Sequence, residues 1–200
     1  MVNSEVLAPS TRRNAESSVP LVPLLDERWS PRSFDAAATI TDQQLDALLE
    51  AARWAPSAAN KQQRRFIVGR RGTATFDAIV DALMGFNAVW APNASALVVA
   101  VADVSSVADG GMSWAEYDLG QAVAHLTVQA HAEGLHTHQM GGVEWDRITS
   151  AFDLPAGLKP MTVTAVGVVD EAHKLGEALA TRENAPRTRL PLDELVLRRD

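Results

Sequence analysis

The 200-residue sequence contains no cysteine. A chain without thiols forms no disulfide and has no thiolate nucleophile or dithiol relay, so any electron transfer has to run through a bound cofactor. Long apolar runs are also missing, because no stretch approaches the roughly 20 apolar residues needed to cross a bilayer. Residues 1–19 lack the apolar core of a secretion signal. These absences predict a cytoplasmic protein with no membrane partner.

An excess of positive charge is missing as well. The chain has 18 Lys and Arg residues against 25 Asp and Glu residues, for a net charge of −7. Such a surface repels polyanions, so nucleic acid is not an expected partner. The hydrophobic fraction of 46% is ordinary for a soluble globular protein. We predict a flexible tail over residues 1–20 and a single domain over 21–200.

Two nucleotide-binding fingerprints are absent. No Gly-x-Gly-x-x-Gly follows a predicted strand, and there is no Gly-Lys-Ser/Thr loop for phosphates. The sequence therefore does not predict a Rossmann or P-loop domain.

Helices are predicted first from capping signals. Thr41 and Gln44 form a capping box, and the apolar residues that follow recur at helical spacing. A second box, Ser113 to Glu116, predicts the start of a long, largely buried helix that stops at Gly134.

Strands alternate with these helices. Residues 66–68 predict a short strand, and the apolar run 94–102 predicts a central strand covered on both faces. A loop over 103–112 and the long helix come next, and residues 161–169 predict a further strand. Beyond it the chain reads as extended up to a turn at 193–196. This order indicates a three-layer α/β or α+β fold.

The segment 51–68 joins the first strong helix to a strand through a turn of small residues. Pro56 cannot continue the helix, and Ser57, Ala58 and Asn60 follow it. Small residues allow a flat ligand to approach the backbone, and the Ser and Asn side chains can donate to and accept from a ring edge. An ordinary helix-to-strand loop has the same composition, so both interpretations stay open at this point.

Arginines cluster near both ends of the chain. Arg28, Ser30 and Arg32 alternate along one side of an extended segment, and Arg187 and Arg189 stand between two prolines. Guanidinium forks flanking a hydroxyl suit a phosphate. Solvated surface arginines are the competing interpretation.

Taken together, the motifs resemble those of the nitroreductase family of FMN-dependent oxidoreductases. They are Arg-x-Ser-x-Arg-x-Phe from Arg28, Ala-Pro-Ser-x-x-Asn-x-Gln from Ala55, the late pair Gly141-Gly142, and Pro-Arg-x-Arg-x-Pro from Pro186. The resemblance covers nearly the whole chain and implies a mixed central sheet flanked by helices. It also implies an intertwined homodimer with FMN at the subunit interface.

The resemblance implies roles for individual residues. The flavin phosphate is assigned to Arg28, Ser30, Arg32, Arg187 and Arg189; the flavin ring to Pro56, Ser57, Ala58 and Asn60; the neighbourhood of flavin N5 to Gln139, Met140, Gly141 and Gly142; and the pyrimidine edge to Asn87.

Some positions depart from the family pattern. Trp90 stands where some members have a lysine, so the charge of a reduced ring would depend more on Arg32. Gln63-Arg64 replaces a common Pro-Trp, which leaves that part of the pocket wall open to question.

On the substrate side, His138 is the expected contact, and Trp90 or Trp114 could cover the flavin face, although aromatic residues more often belong to a core. His136 and His138 do not predict a metal site, since no third ligand accompanies them.

The implied reaction takes hydride from NAD(P)H and passes it through flavin N5 to a small-molecule electron acceptor, such as a nitroaromatic or a quinone, with both substrates using one site in turn. Three alternatives stay open: another FMN reaction on the same fold (dehydrogenation, dehalogenation or flavin fragmentation), a flavin-binding storage or sensing module without turnover, and a small α/β binding domain without flavin.

Overall fold

The computed structural model describes residues 13–105 and 113–200. Its helices are α1 (Pro23–Asp26), α2 (Asp42–Arg53), α3 (Ala74–Val80), α4 (Asn87–Trp90), α5 (Ala115–Ala132), α6 (Trp145–Ala151), α7 (Glu177–Asn184) and α8 (Leu192–Leu195). Its strands are β1 (Arg64–Arg70), β2 (Ala96–Asp103), β3 (His136–Met140) and β4 (Leu158–Gly167). Single 3₁₀ turns lie at Ala58–Asn60, Ala91–Asn93 and Ala172–Lys174.

The four strands form one sheet in the order β1-β2-β4-β3, so β1 and β3 are its edges. All three pairings are antiparallel. The expectation of a mixed sheet is therefore wrong for the described residues of one chain. A parallel pair needs a crossover connection between neighbouring strands, and no such connection occurs within the described residues.

Helices cover both faces of this sheet. Helices α2 and α5 pack together against one face, and α3 and α6 cover the other. Strand β2 shows the consequence: Leu97 and Val99 belong to the apolar cluster under α3, whereas Ala96 and Val98 belong to the cluster under α2 and α5. The prediction of a central strand buried on both faces is confirmed, as is the three-layer arrangement.

The two predicted capping boxes have different outcomes. At α2 the Thr41 hydroxyl accepts from the Gln44 amide at 3.1 Å, and the Gln44 side chain accepts from the Thr41 amide at 3.1 Å. At α5 the predicted box is wrong. The Ser113 hydroxyl accepts from the nearer Ala115 amide at 3.2 Å, and the helix begins one residue later than the box requires.

Strand β3 and helix α7 are among the elements that the sequence did not predict. Strand β3 is polar at His136–Gln139, and helix α7 occupies part of the segment expected to be extended. Residues 1–12 of the predicted tail and residues 106–112 of the predicted loop lie outside the described residues. From Arg13 onward the chain contacts the domain, since the Ala15 amide donates to the carbonyl of Asp26 at 2.9 Å. Within the described ranges, no helix combines the length and the apolar character needed to span a bilayer.

Candidate functional site

The predicted phosphate-binding residues come together at one cavity of about 210 Å³. Segments from both ends of the chain form it. Lining residues from the range 13–32, before α2, lie beside lining residues from the range 182–189, at the end of α7 and after it. The residues lining the cavity are Arg13, Arg28, Trp29, Ser30, Arg32, Arg182, Ala185, Pro186, Arg187 and Arg189. All five residues that the motifs assigned to phosphate are among them.

The guanidinium groups of this cavity repel one another. Burial lowers the pKa of Arg28, and the nearby charges of Arg187 and Arg189 lower it further. The pKa of Arg187 is also lowered, first by burial and then by Arg189 and Arg13. An anion placed among these groups would relieve the repulsion, so the cavity has the electrostatic character of an anion site.

Arg187 has a second role, since it ties the two chain ends together. Its guanidinium donates to the carbonyl oxygens of Asp26 at 3.1 Å and Arg28 at 2.9 Å, and also to that of Arg13. In contrast, the guanidinium of Arg189 is exposed and donates to the carbonyl of Thr188 at 2.7 Å. Arg187 therefore shapes the cavity, and Arg189 is the freer of the two to meet a ligand.

Glu183, which sequence reasoning missed, holds the other arginine segment in place. Its carboxylate is 2% exposed and accepts from the backbone amides of Arg32, at 2.8 and 3.0 Å, and Ser33, at 3.0 Å. The Arg32 guanidinium lies 3.5 Å from the same carboxylate. Helix α7 thus anchors the Arg28–Arg32 segment from 150 residues away.

The turn after α2 follows an unusual backbone path. Ala59, Asn60 and Gln62 all have φ between 50° and 54°, in the left-handed region that residues with a Cβ seldom adopt. Each such residue costs of order 1 kcal/mol, and strain of this kind clusters at functional sites. The Ser57 hydroxyl closes the turn by accepting from the Gln62 amide at 3.1 Å.

Two buried side chains brace this turn. Asp118, 2% exposed on α5, accepts from the Ala58 amide at 2.9 Å. Arg64, 9% exposed on β1, donates to the carbonyls of Arg53 at 2.5 Å and Ala55 at 2.9 Å. The Gln63-Arg64 pair that replaces the family's Pro-Trp is therefore internal, and Arg64 supports the turn from beneath.

The glycine pair forms a short exposed segment after β3. The carbonyl of Gly142 accepts from the Met84 amide at 3.0 Å and from the Asn87 side chain at 3.3 Å. A Cβ at Gly142 would lie 3.0 Å from the Asn87 side-chain nitrogen, whereas the space around Gly141 is open. Asn87 thus fixes the glycine segment. Its predicted contact with a pyrimidine edge stays a prediction.

Strand β3 connects the glycine segment with the arginine cavity. The His138 Nδ1 lies 2.9 Å from the carbonyl oxygen of Pro31, and burial is the main cause that lowers its pKa to about 4. The ring is therefore neutral at pH 7. Because a carbonyl only accepts, Nδ1 carries the hydrogen and Nε2 is left as an acceptor. The Gln139 side chain turns the other way and donates to Thr127 at 2.7 Å.

Trp90 was expected to contact the substrate, but its side chain lies in the core. It is 1% exposed, stacks on Phe34 with the ring centroids 6.0 Å apart, and lies 4.6 Å from the His138 ring. An indole enclosed in the core offers a ligand no free face, so the expectation for Trp90 is corrected by its burial. Trp114 is 49% exposed and remains available.

Within one chain the turn and the glycine pair lie at opposite edges of the sheet. The turn precedes edge strand β1, and the glycines follow edge strand β3. Three interstrand spacings separate these edges, roughly 14 Å. The predicted site residues of a single chain therefore form two separate groups. The arginine cavity, His138 and the glycine pair make up one group, and the turn is the other.

Comparison with known proteins shows which family the chain belongs to. Residues 25–168 match the model of the nitroreductase family. The chain belongs to the nitroreductase family. A solved oxidoreductase containing FMN is 34% identical, with a TM-score of 0.84 over 95% of this chain and 96% of its own.

Two further proteins are also similar to this chain. A nitroreductase family protein from Clostridium difficile 630 shares the fold, at 24% identity and a TM-score of 0.71 over 89% of this chain and 97% of its own. An uncharacterized 15.4 kDa protein in the ask 5' region of Mycolicibacterium smegmatis is 36% identical over 140 residues, or 66% of this chain and 93% of that protein. The family resemblance inferred from the motifs is confirmed.

The histidines of this nitroreductase-family chain predict a pH dependence of stability. His136 is 2% exposed, and burial, followed by His131 and Arg28, lowers its pKa from 6.5 to about 4. Between these values the unfolded chain binds more protons than the folded chain. The free energy of unfolding should therefore fall as the pH is lowered from 6.5 toward 4.

Replacing His136 with Asn should make this decline shallower, as measured by urea unfolding at several pH values. His125→Gln, a change at an exposed histidine of α5, is the matched control and should leave the slope as in the wild type. Equal slopes for the two variants would contradict the assignment.

Proposed function

We propose that the chain is an FMN-dependent oxidoreductase that passes hydride from NAD(P)H to a small acceptor such as a nitroaromatic or a quinone. The observation that carries the proposal is the convergence of Arg28, Ser30, Arg32, Arg187 and Arg189 at one cavity. The similarity to an oxidoreductase containing FMN supports the choice of flavin.

The cavity fits the phosphate end of FMN. A phosphate monoester carries close to two negative charges at neutral pH and has oxygens that accept several hydrogen bonds. A bound phosphate would relieve the mutual repulsion of Arg28, Arg187 and Arg189. The Ser30 hydroxyl, 3.4 Å from the Arg28 guanidinium, adds an uncharged donor.

The ring site is proposed to need a second copy of the chain. The turn that bears Pro56, Ser57, Ala58 and Asn60 is too far from Gly141 and Gly142 within one protomer, so a homodimer would bring the turn of one protomer to the glycine pair of the other. Exposed apolar side chains at both ends of the chain support such an interface. They include Leu21, Val22, Leu25, Leu190, Leu192, Leu195 and Leu197.

The protein groups would orient and bind while the cofactor reacts. Bound FMN would supply hydride transfer at N5. Gly141 leaves open space beside its backbone, which permits close approach of a ring edge. The neutral His138 would offer its Nε2 as an acceptor, and the positive charge of Arg32 is close enough to contribute, after burial, to the lowered pKa of this ring. With no cysteine in the chain, no thiol relay competes with this route.

An absorbance spectrum of the purified protein, followed by anaerobic addition of NADH or NADPH and then a quinone, tests the proposal. We expect a yellow protein that bleaches with the reduced nucleotide and recovers its colour with the acceptor. Protein that stays colourless after incubation with FMN would overturn the proposal. Yellow protein that is reduced but does not reoxidise would favour a storage module. Bound flavin that does not react with NAD(P)H would favour another FMN reaction on the same fold.

A further inference from the structure

We propose that Asp118 is a positioning residue of the flavin site, holding the turn after α2 in its left-handed path. The inference rests on the proposed function, since it assumes that this turn contacts the flavin. Asp118 would not touch the cofactor or the substrate. It would act through the backbone amide of Ala58.

Asp118 is a charged residue in an apolar setting. It is 2% exposed on a helix stripe whose other buried members include Leu119 and Ala122. Among the residues the structure describes, it forms no ion pair, and its bond to the Ala58 amide, at 2.9 Å, comes from 60 residues away. A buried carboxylate is costly unless it is hydrogen-bonded, so the contact with the Ala58 amide helps to stabilise Asp118 in this stripe.

The contact falls where the backbone begins its strained path. Ser57 is extended, with φ −149° and ψ 150°, and Ala58 opens the 3₁₀ turn in which Ala59 and Asn60 are left-handed. An acceptor fixed to a long helix holds the first amide of this turn and thereby limits its relaxation toward ordinary backbone angles. The exposed Asn60 and half-buried Ser57, predicted to meet the ring edge, are then held in one arrangement.

The helix itself offers a competing explanation for Asp118. An acidic residue in the first turn of α5 also interacts favourably with the helix dipole. Glu116 shares that property, but it is partly exposed and pairs with Lys159 at 2.7 Å. Glu116→Gln is therefore the matched control, because it removes a first-turn carboxylate without touching the turn after α2.

The experiment compares Asp118→Ala, Asp118→Asn and Glu116→Gln in the full chain. Hydrogen exchange of the Ala58 amide is measured without FMN, and FMN affinity and the rate of flavin reduction by NADH are measured with it. In Asp118→Ala we expect loss of Ala58 protection, FMN affinity weakened about tenfold and slower reduction. Asp118→Asn keeps an acceptor oxygen and should restore most of each property. Glu116→Gln should match the wild type.

A second variant covers the case in which Asp118→Ala does not fold. Ala58→Pro removes the donor instead of the acceptor, at a first helical position where proline is tolerated and after a residue already extended. It should give the same losses of FMN affinity and reduction rate as Asp118→Ala, and in these two measurements the double variant should be no worse than either single one. Yellow Asp118→Ala protein with wild-type affinity and reduction rate would overturn the inference alone. A wild-type protein that does not bind FMN would instead overturn the proposed function.

Discussion

Replacing Arg28 and Arg189 together with alanine is expected to weaken FMN binding by roughly 10²- to 10⁴-fold, because each removes a charge-assisted hydrogen bond to phosphate. These two are chosen because their guanidiniums contribute little to the fold. Within the described ranges, the Arg28 guanidinium makes one long hydrogen bond, 3.4 Å to Ser30, and the Arg189 guanidinium donates to the adjacent carbonyl of Thr188. Arg187 is unsuitable, since it ties Asp26 and Arg28 to the end of the chain.

The same double change should not lower the stability of the FMN-free protein. Burial and two neighbouring arginines already lower the pKa of Arg28, which means that its charge is unfavourably placed without a ligand. We therefore expect the affinity for FMN to fall while the free energy of unfolding of the FMN-free protein does not. General damage to the fold would lower both quantities. Fluorescence titration with FMN and urea unfolding of the FMN-free protein measure the two responses.

Arg53→Ala with Arg147→Ala is the control pair, because it removes the same net charge from exposed positions outside the cavity. It should leave FMN affinity within about threefold, a residual electrostatic effect that salt screens. If the Arg28 and Arg189 pair behaves like this control, the phosphate assignment fails.

What the sequence predicted well was local. Helix α2 was found because its signals, the Thr41–Gln44 box and the apolar spacing, lie within a few residues of one another and do not depend on the rest of the fold. Strand β2 was found because a strand covered on both faces is apolar throughout. The arginine cavity was found because two motifs at the chain ends shared one chemistry.

What the sequence concealed depended on distant partners. Strand β3 has polar side chains on both faces. Thr137 and Gln139 form hydrogen bonds with Thr127 of α5, and no local sequence pattern predicts this partner. Asp118 did leave a signal that was not used: a carboxylate on the apolar stripe of a helix requires a buried partner. The separation of the turn from the glycine pair could not be read at all, because it depends on the order of strands in the sheet.

The box predicted at Ser113 shows the limit of motif reading. The residue types were right, but the Ser113 hydroxyl satisfied the nearer amide of Ala115, and Trp114 became the residue before the helix. A motif states which hydrogen bonds are possible, and the competing partners decide which of them form.

Glu183→Ala is expected to reduce the free energy of unfolding of the FMN-free protein by about 3 kcal/mol. The carboxylate, 2% exposed, accepts from the amides of Arg32 and Ser33 and lies beside the Arg32 guanidinium. Removing it leaves two backbone donors in a poorly hydrated place without their acceptor. Urea unfolding, with the slope checked for constancy, measures the loss.

Glu177→Ala is the matched control on the same helix, because Glu177 is exposed in the first turn of α7. Its loss should stay within about 0.5 kcal/mol, as for other surface changes. Glu183→Gln separates the role of shape from that of charge, since it keeps one acceptor oxygen but introduces an NH₂ group toward two donors. We expect an intermediate loss of stability. A Glu183→Ala protein as stable as Glu177→Ala would show that the Arg28–Arg32 segment is held by other contacts.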